Sequence, residues 1–301
     1  MATCSQVDSA ARSTHTRWRD LFALCKLKVV AVMLLTLVVG FCLATPAAPS
    51  PLLLLVTCLG VGLAAASAAA VNHVLDQEID IKMARTARRP LPSGRVSPLQ
   101  AVLFAAGLGV AGITILVVFV NALTAWLTLA SLIGYAFIYT AFLKRATPQN
   151  IVIGGVAGAA PPLLGWTAVT GEISADGLLL MLIIFAWTPP HFWALCIARR
   201  DDYARAGVPM LPITHGDAFT RLQMLLYTLM TLLMTLLPYF TGLSGLIYLA
   251  GMAVLNGRFL YWAWRLYRYR YAADPMRMFH YSILYIMGLF AILLVDHYLI
   301  L

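Results

Sequence analysis

Between residues 72 and 89 the chain places Asn72, Asp76 and Asp80 at intervals of four and follows them with Lys82, Arg85, Arg88 and Arg89. On an α-helix this spacing stacks three oxygen-bearing side chains on one face over roughly 12 Å, at about 1.5 Å of rise per residue. Glu78 lies off that face. Hard oxygens next to a basic run suit Mg²⁺ and a polyanion together, because Mg²⁺ keeps several waters and takes one or two carboxylates plus phosphate oxygens. The same residues on an exposed helix would be a solvated face of mixed charge. Here they follow an uncharged apolar run, Pro51 to Val71, so the acids stand where a long apolar helix meets water. A second group, Arg199-Arg200-Asp201-Asp202-Tyr203, closes another apolar run.

The elements that must position these residues are membrane helices. Of 301 residues 61% are hydrophobic and only 11% charged, with a mean hydropathy of +0.85, too little polar surface for a soluble domain. Apolar runs long enough to span occur at about 21–45, 51–75, 98–120, 122–142, 150–170, 177–197, 222–241, 243–263 and 279–301, which predicts an all-α polytopic protein of nine transmembrane helices. The organisation expected is a polar cytoplasmic segment, residues 1–20, ahead of a single transmembrane domain, residues 21–301. The first residues lack a short apolar core and a small-residue cleavage site, so no cleaved secretory signal is expected. All 21 Lys and Arg fall before the first helix or at its start, or after helices two, four, six and eight. The positive-inside rule then puts the N-terminus and these segments in the cytoplasm. The net charge of +9 is an orientation signal and an attraction for anionic lipid, not a nucleic-acid footprint. Five scattered cysteines imply neither a disulfide framework nor a zinc site.

Acids that close helices two and six, four helices apart, suggest two four-helix halves sharing a site, plus one extra helix. Transporters and proton pumps place ionisable groups near the bilayer midplane, and here the runs are nearly free of them. An enzyme whose polar chemistry sits at the cytoplasmic mouth of an apolar bundle fits better.

Asn72-x-x-x-Asp76-x-x-x-Asp80 with Arg85-Thr86-x-x-Arg89-Pro90-Leu91 resembles the diphosphate-binding motif of the UbiA-type intramembrane prenyltransferases. Further matches are Tyr139-Thr140-x-x-Leu143-Lys144-Arg145, the run from Asn150 to Trp166, and Gly207-Val208-Pro209-Met210-Leu211-Pro212. The string Trp187-Thr188-Pro189-Pro190-His191-Phe192-Trp193 resembles the heme-modifying branch of that family. The compact Asp201-Asp202-Tyr203 departs from the spaced aspartates of quinone-pathway relatives, which leaves open which of the two touches metal. The resemblance implies farnesyl transfer from farnesyl diphosphate to a vinyl group of heme b in a bacterial plasma (inner) membrane, with the active site facing the cytoplasm. The rival within the family is a 4-hydroxybenzoate-type polyprenyltransferase of the quinone pathway.

The resemblance further implies Mg²⁺ held by Asn72, Asp76 and Asp80, with a second metal on Asp202 and Asp201. Arg85, Arg89 and Lys144 would bind diphosphate, and Tyr139, Tyr203 and Trp193 would line the substrates. Lys144 and Arg145 also close a helix on the positive side, so topology alone accounts for them equally well. Aromatic faces attract carbocations without trapping them as an amine would, yet Trp and Tyr at helix ends are commonly interfacial anchors. His191 is expected either to serve the porphyrin, through iron or a proton, or to bond a neighbouring helix. His73 adjoins Asn72 and faces either the porphyrin or the interface. Pro161-Pro162 and Pro189-Pro190 are expected to kink their helices. A contact with a downstream heme A synthase stays open.

Overall fold

The computed structural model describes residues 18–45, 50–268 and 274–300. The described residues are all helical or connecting, without a strand. The first span is broken: α1 (Trp18–Leu24) and α2 (Leu27–Leu43) meet at a bend of 50°. The bend falls at Lys26, the one described non-glycine residue with positive φ, at 48°. A left-handed backbone at a residue other than Gly costs of order 1–3 kcal/mol and persists where surrounding contacts impose it. Then follow α3 (Pro51–Leu75), α4 (Gln77–Lys82), α5 (Pro98–Phe119), α6 (Ala122–Ala146), α7 (Asn150–Thr170), α8 (Ala175–Ala198), α9 (Arg200–Arg205), α10 (Leu211–Thr214), α11 (Gly216–Phe240), α12 (Leu246–Arg268) and α13 (Pro275–Ile300). Eight of these are single spans, and the bent α1–α2 pair makes nine.

Span positions agree with the hydropathy pattern, while several ends differ. α11 starts at Gly216 rather than near residue 222, and α12 carries Arg265 and Arg268 in its last turn. Hydropathy reports the length of chain in hydrocarbon, and the helical backbone continues beyond it. The polar segment expected over residues 1–20 lies mostly outside the described residues; its last part, from Trp18, opens α1.

One expectation about a single helix needs correction. Asn72, Asp76 and Asp80 do not share one straight helix face, because the helix stops at Leu75 and resumes at Gln77, with Asp76 at φ −89°, ψ 2° between them. The proline pairs also behave differently from one another. At Pro161-Pro162 the backbone is interrupted at Ala160, whereas Pro189 and Pro190 sit inside an unbroken α8. Proline lacks the N–H that would bond the residue four back, so the carbonyls of Phe185 and Ala186 lose their intrahelical donors without a break in helix geometry.

Packing follows two four-helix halves, with α2 of the first also packed closely on α7 of the second. In the first, α3 packs against α2, α5 and α6; in the second, α8 packs against α7 and α11, α12 packs on α11, and α13 returns against α8, α12 and α2. Apolar attraction is weak between helices already in lipid, so close backbone contact and buried hydrogen bonds do the joining. A Cβ on Gly40 of α2 would lie 2.1 Å from the Pro162 carbonyl oxygen, and one on Gly165 of α7 would lie 2.1 Å from that of Leu37. Ser67 Oγ donates to the Ala105 carbonyl at 2.7 Å, fastening α3 to α5. In the second half Asn256 accepts from Tyr285 Oη at 2.7 Å and donates to Thr235 Oγ1 at 3.0 Å, joining α13, α12 and α11. The buried Asp296 of α13 accepts from the Tyr248 N–H at 2.9 Å and so caps the start of α12.

Candidate active site

The helix break at Asp76 lies at one end of the bundle, where α3, α4, α6, α8 and α9 converge on a cavity of about 150 Å³. Asp76 and Asp80 both line it and are 2% and 3% exposed. Two carboxylates removed from water require partners, and each has a cation brought from elsewhere in the chain. Lys144 Nζ, at the end of α6, donates to Asp76 Oδ2 at 2.5 Å. Arg89 Nη1, beyond α4, reaches both oxygens of Asp80 at 2.9 and 2.7 Å. Asn72 Nδ2 donates to Asp76 Oδ2 at 2.8 Å and to Thr140 Oγ1 at 3.2 Å. Lys26 Nζ, from the strained bend of the first span, donates to Asn72 Oδ1 at 2.5 Å. Asp76 Oδ1 is buried without a hydrogen-bond partner.

The backbone of α6 widens to π-helical turns over Gly134–Leu143. Thr140 Oγ1 donates to the Tyr135 carbonyl at 2.8 Å, consistent with such a turn. The altered register turns Tyr135 and Tyr139 to the cavity together, their rings stacked at 5.5 Å. Turns of this kind often mark functional sites in membrane and soluble helices alike. Gly154 of α7 makes room for Tyr139, since a Cβ there would come within 2.2 Å of the ring.

The structure thus brings together Asn72, Asp76, Asp80, Arg85, Arg89, Tyr139, Lys144 and Tyr203 around one cavity. Burial pushes the Tyr203 phenol well above the usual tyrosine range, so it stays a neutral hydroxyl. Other expected residues fall elsewhere. Asp201 is exposed, and Asp202 pairs with Arg205 one turn along α9, outside the cavity lining. No cluster of three or more His, Cys, Asp or Glu that could hold a metal occurs among the described residues. Trp193 is buried edge-on against Tyr227 of α11 at 5.4 Å. His191 Nδ1 lies 2.6 Å from Ser282 Oγ of α13, and its ring is sandwiched between Trp187 at 4.3 Å and Phe279 at 4.6 Å. The helix-to-helix hydrogen bond expected as one of its roles is formed. His73 is 3% exposed, has no hydrogen bond at either ring nitrogen, and places Nδ1 3.9 Å from Asp80 Oδ2.

Sequence reasoning counted Lys26 only as a topology charge, passed over Tyr135, and quoted Thr140 and Phe192 within motifs, and Cys196 among the cysteines, without giving them a place in the site. A lysine interrupting an apolar run was the available signal for Lys26. Nothing in the local letters marked the widened turn that presents Tyr135 and Thr140.

Buried charge of this density does not strengthen a fold, because an apolar core of equal volume is often as stable or more so. The arrangement can receive a multiply negative group on Lys26, Arg85, Arg89 and Lys144, beside two carboxylates and an aromatic wall. The profile of the UbiA prenyltransferase family matches residues 33–289, and the chain belongs to that family. It is 58% identical over 298 residues to the protoheme IX farnesyltransferase of Teredinibacter turnerae, covering 98% of this chain and 96% of the relative. A digeranylgeranylglyceryl phosphate synthase structure shares the fold at a TM-score of 0.77 and 19% identity, covering 93% of this chain and 98% of that one. A UbiA homologue from Archaeoglobus fulgidus, bound to GPP and Mg²⁺, does so at 0.64 and 15%, covering 91% and 99%.

Proposed function

We propose that this chain transfers the farnesyl group of farnesyl diphosphate to a vinyl group of protoheme IX (heme b), with addition of water, giving heme O and diphosphate. The observation that carries this reading is the 58% identity, end to end, with a protoheme IX farnesyltransferase. The cavity supplies the matching chemistry. Ionising an allylic diphosphate sends an electron pair to a leaving group that already bears several negative charges, so the site must meet that charge with preorganised cations. Lys26, Arg85, Arg89 and Lys144 face the same cavity and can do so.

The residues also fit a divalent metal. Asp76 Oδ1 lacks a partner, and two carboxylates plus substrate oxygens are the number Mg²⁺ habitually takes. Mg²⁺ held by Asp76, Asp80 and Asn72 would supply further neutralisation of the diphosphate. Asp202, beside Tyr203 at the same end of the bundle, could join a metal only by giving up its pair with Arg205. Tyr135 and Tyr139 offer ring faces to the allylic cation. That cation forms a carbon–carbon bond to the outer vinyl carbon; water then adds at the inner carbon and loses a proton. The Lys and Arg distribution supports a cytoplasmic N-terminus and a cytoplasm-facing site in a bacterial inner membrane. A downstream heme A synthase is the expected consumer of the product.

Purified protein in liposomes, given farnesyl diphosphate and Mg²⁺ with either heme b or 4-hydroxybenzoate, tests the reading. Heme gaining the mass of farnesyl plus a hydroxyl group is expected. Prenylation of 4-hydroxybenzoate with heme unchanged would overturn it.

A further inference from the structure

The cavity that holds the acids is too small for the acceptor. At about 150 Å³ it falls below the roughly 300–1,000 Å³ typical of sites for drug-sized molecules. A second, shallow and widely open depression lies at the bend between α1 and α2. Lys26 lines both, so the two spaces adjoin at the strained residue. The floor of this groove is apolar: Phe22, Leu27 and Val29 are 55%, 59% and 56% exposed. Its rim carries the exposed cations Arg19 and Lys28, neither of which has an ion-pair partner among the described residues. The nearest carboxylate in sequence, Asp20, is taken by Arg95 at 2.9 Å.

An apolar groove with two free cations beside a catalytic cavity selects a flat, greasy molecule bearing carboxylates at one edge. A farnesyl tail matches the floor but leaves the cations with no partner beyond the anionic lipid they also attract. A porphyrin with two propionates matches both. We infer that the groove between α1 and α2 binds the porphyrin acceptor, its propionates on Arg19 and Lys28 and its face on Phe22, Leu27 and Val29. The inference rests on protoheme IX being the acceptor. Anchoring the propionate edge at the rim leaves the vinyl-bearing part of the ring to reach past Lys26 toward the cavity.

The test uses the full chain in neutral phosphatidylcholine liposomes, with heme b and its dimethyl ester, whose propionates carry no charge, titrated by the Soret band. Arg19→Gln combined with Lys28→Gln is expected to weaken heme binding about tenfold, as loss of two partly exposed ion pairs allows. The ester should bind parent and variant alike, and the KM for farnesyl diphosphate should not change. Arg19→Lys with Lys28→Arg should restore heme binding, and Val29→Glu, which leaves the rim charges in place, should weaken it. Unchanged heme affinity in the Gln and Glu variants would overturn the groove assignment. So would a change seen only when anionic lipid is added, since the cations would then belong to lipid head groups. A parent that binds heme but makes no heme O would instead reject the assigned reaction.

Discussion

The two acid-bearing segments, one after α3 and one after α8, occupy corresponding places in the two halves, yet they are built differently. Asp76 and Asp80 are buried; Asp76 is held by Lys144 from a separate part of the chain, and Asp80 by Arg89 from the loop beyond α4. Asp201 is exposed, and Asp202 is held by Arg205 from its own short helix. The Lys144–Asp76 pair and the Lys26–Asn72 bond exist only when distant segments meet, so this part of the arrangement is specified by tertiary structure. A surface pair three residues apart contributes a few tenths of a kcal/mol and demands little of the fold. What the second segment gives the cavity is Tyr203, a neutral hydroxyl, rather than a carboxylate. The halves therefore share a plan while dividing the labour: one end handles charge, the other closes the wall.

Substitutions can break or sharpen that contrast. The largest effect expected is from Asp76→Asn, which removes a carboxylate while keeping its shape and should lower heme O formation by about a thousandfold. Asp202→Asn should cost only about tenfold in the same assay; losses of equal size would mean that both segments bear the same load and that Asp202 leaves Arg205 during turnover. Lys144→Met should raise the KM for farnesyl diphosphate by roughly ten- to a hundredfold, read from initial rates, whereas Arg205→Met should change it less than threefold. The smallest effect on turnover is expected from His191→Ala. It removes the bond to Ser282 and the ring between Trp187 and Phe279, so thermal stability should fall by about 1–3 kcal/mol while heme O formation stays within a few-fold. Loss of the Soret signal in that variant, with stability unchanged, would reassign His191 to the porphyrin.

Much of this was legible in the letters. Apolar length marked the spans, and the intervals of four among Asn72, Asp76 and Asp80 located the mouth of the site. Arg89 and Lys144 stood out as basic residues at helix ends, and both proved to pair with those aspartates. What stayed hidden depends on backbone departures from ideal geometry. The break at Asp76, the left-handed Lys26 and the widened turn of α6 each change which side chains face the cavity, and none has a periodic signature. His191 was ambiguous for another reason: its partners, Ser282 and Phe279, lie on a helix some ninety residues later. The pairing of Asp202 with Arg205, three residues on in the same short helix, was not weighed from the letters.

The most direct measurement is the binding of a non-hydrolysable farnesyl diphosphate analogue, with Mg²⁺, to the parent, Asp76→Asn and Asp202→Asn proteins by calorimetry. The first acidic segment is the diphosphate site in this account, so Asp76→Asn should weaken binding by about thirtyfold or more, and Asp202→Asn by less than about threefold. Equal losses in both variants, or a larger loss in Asp202→Asn, would contradict it.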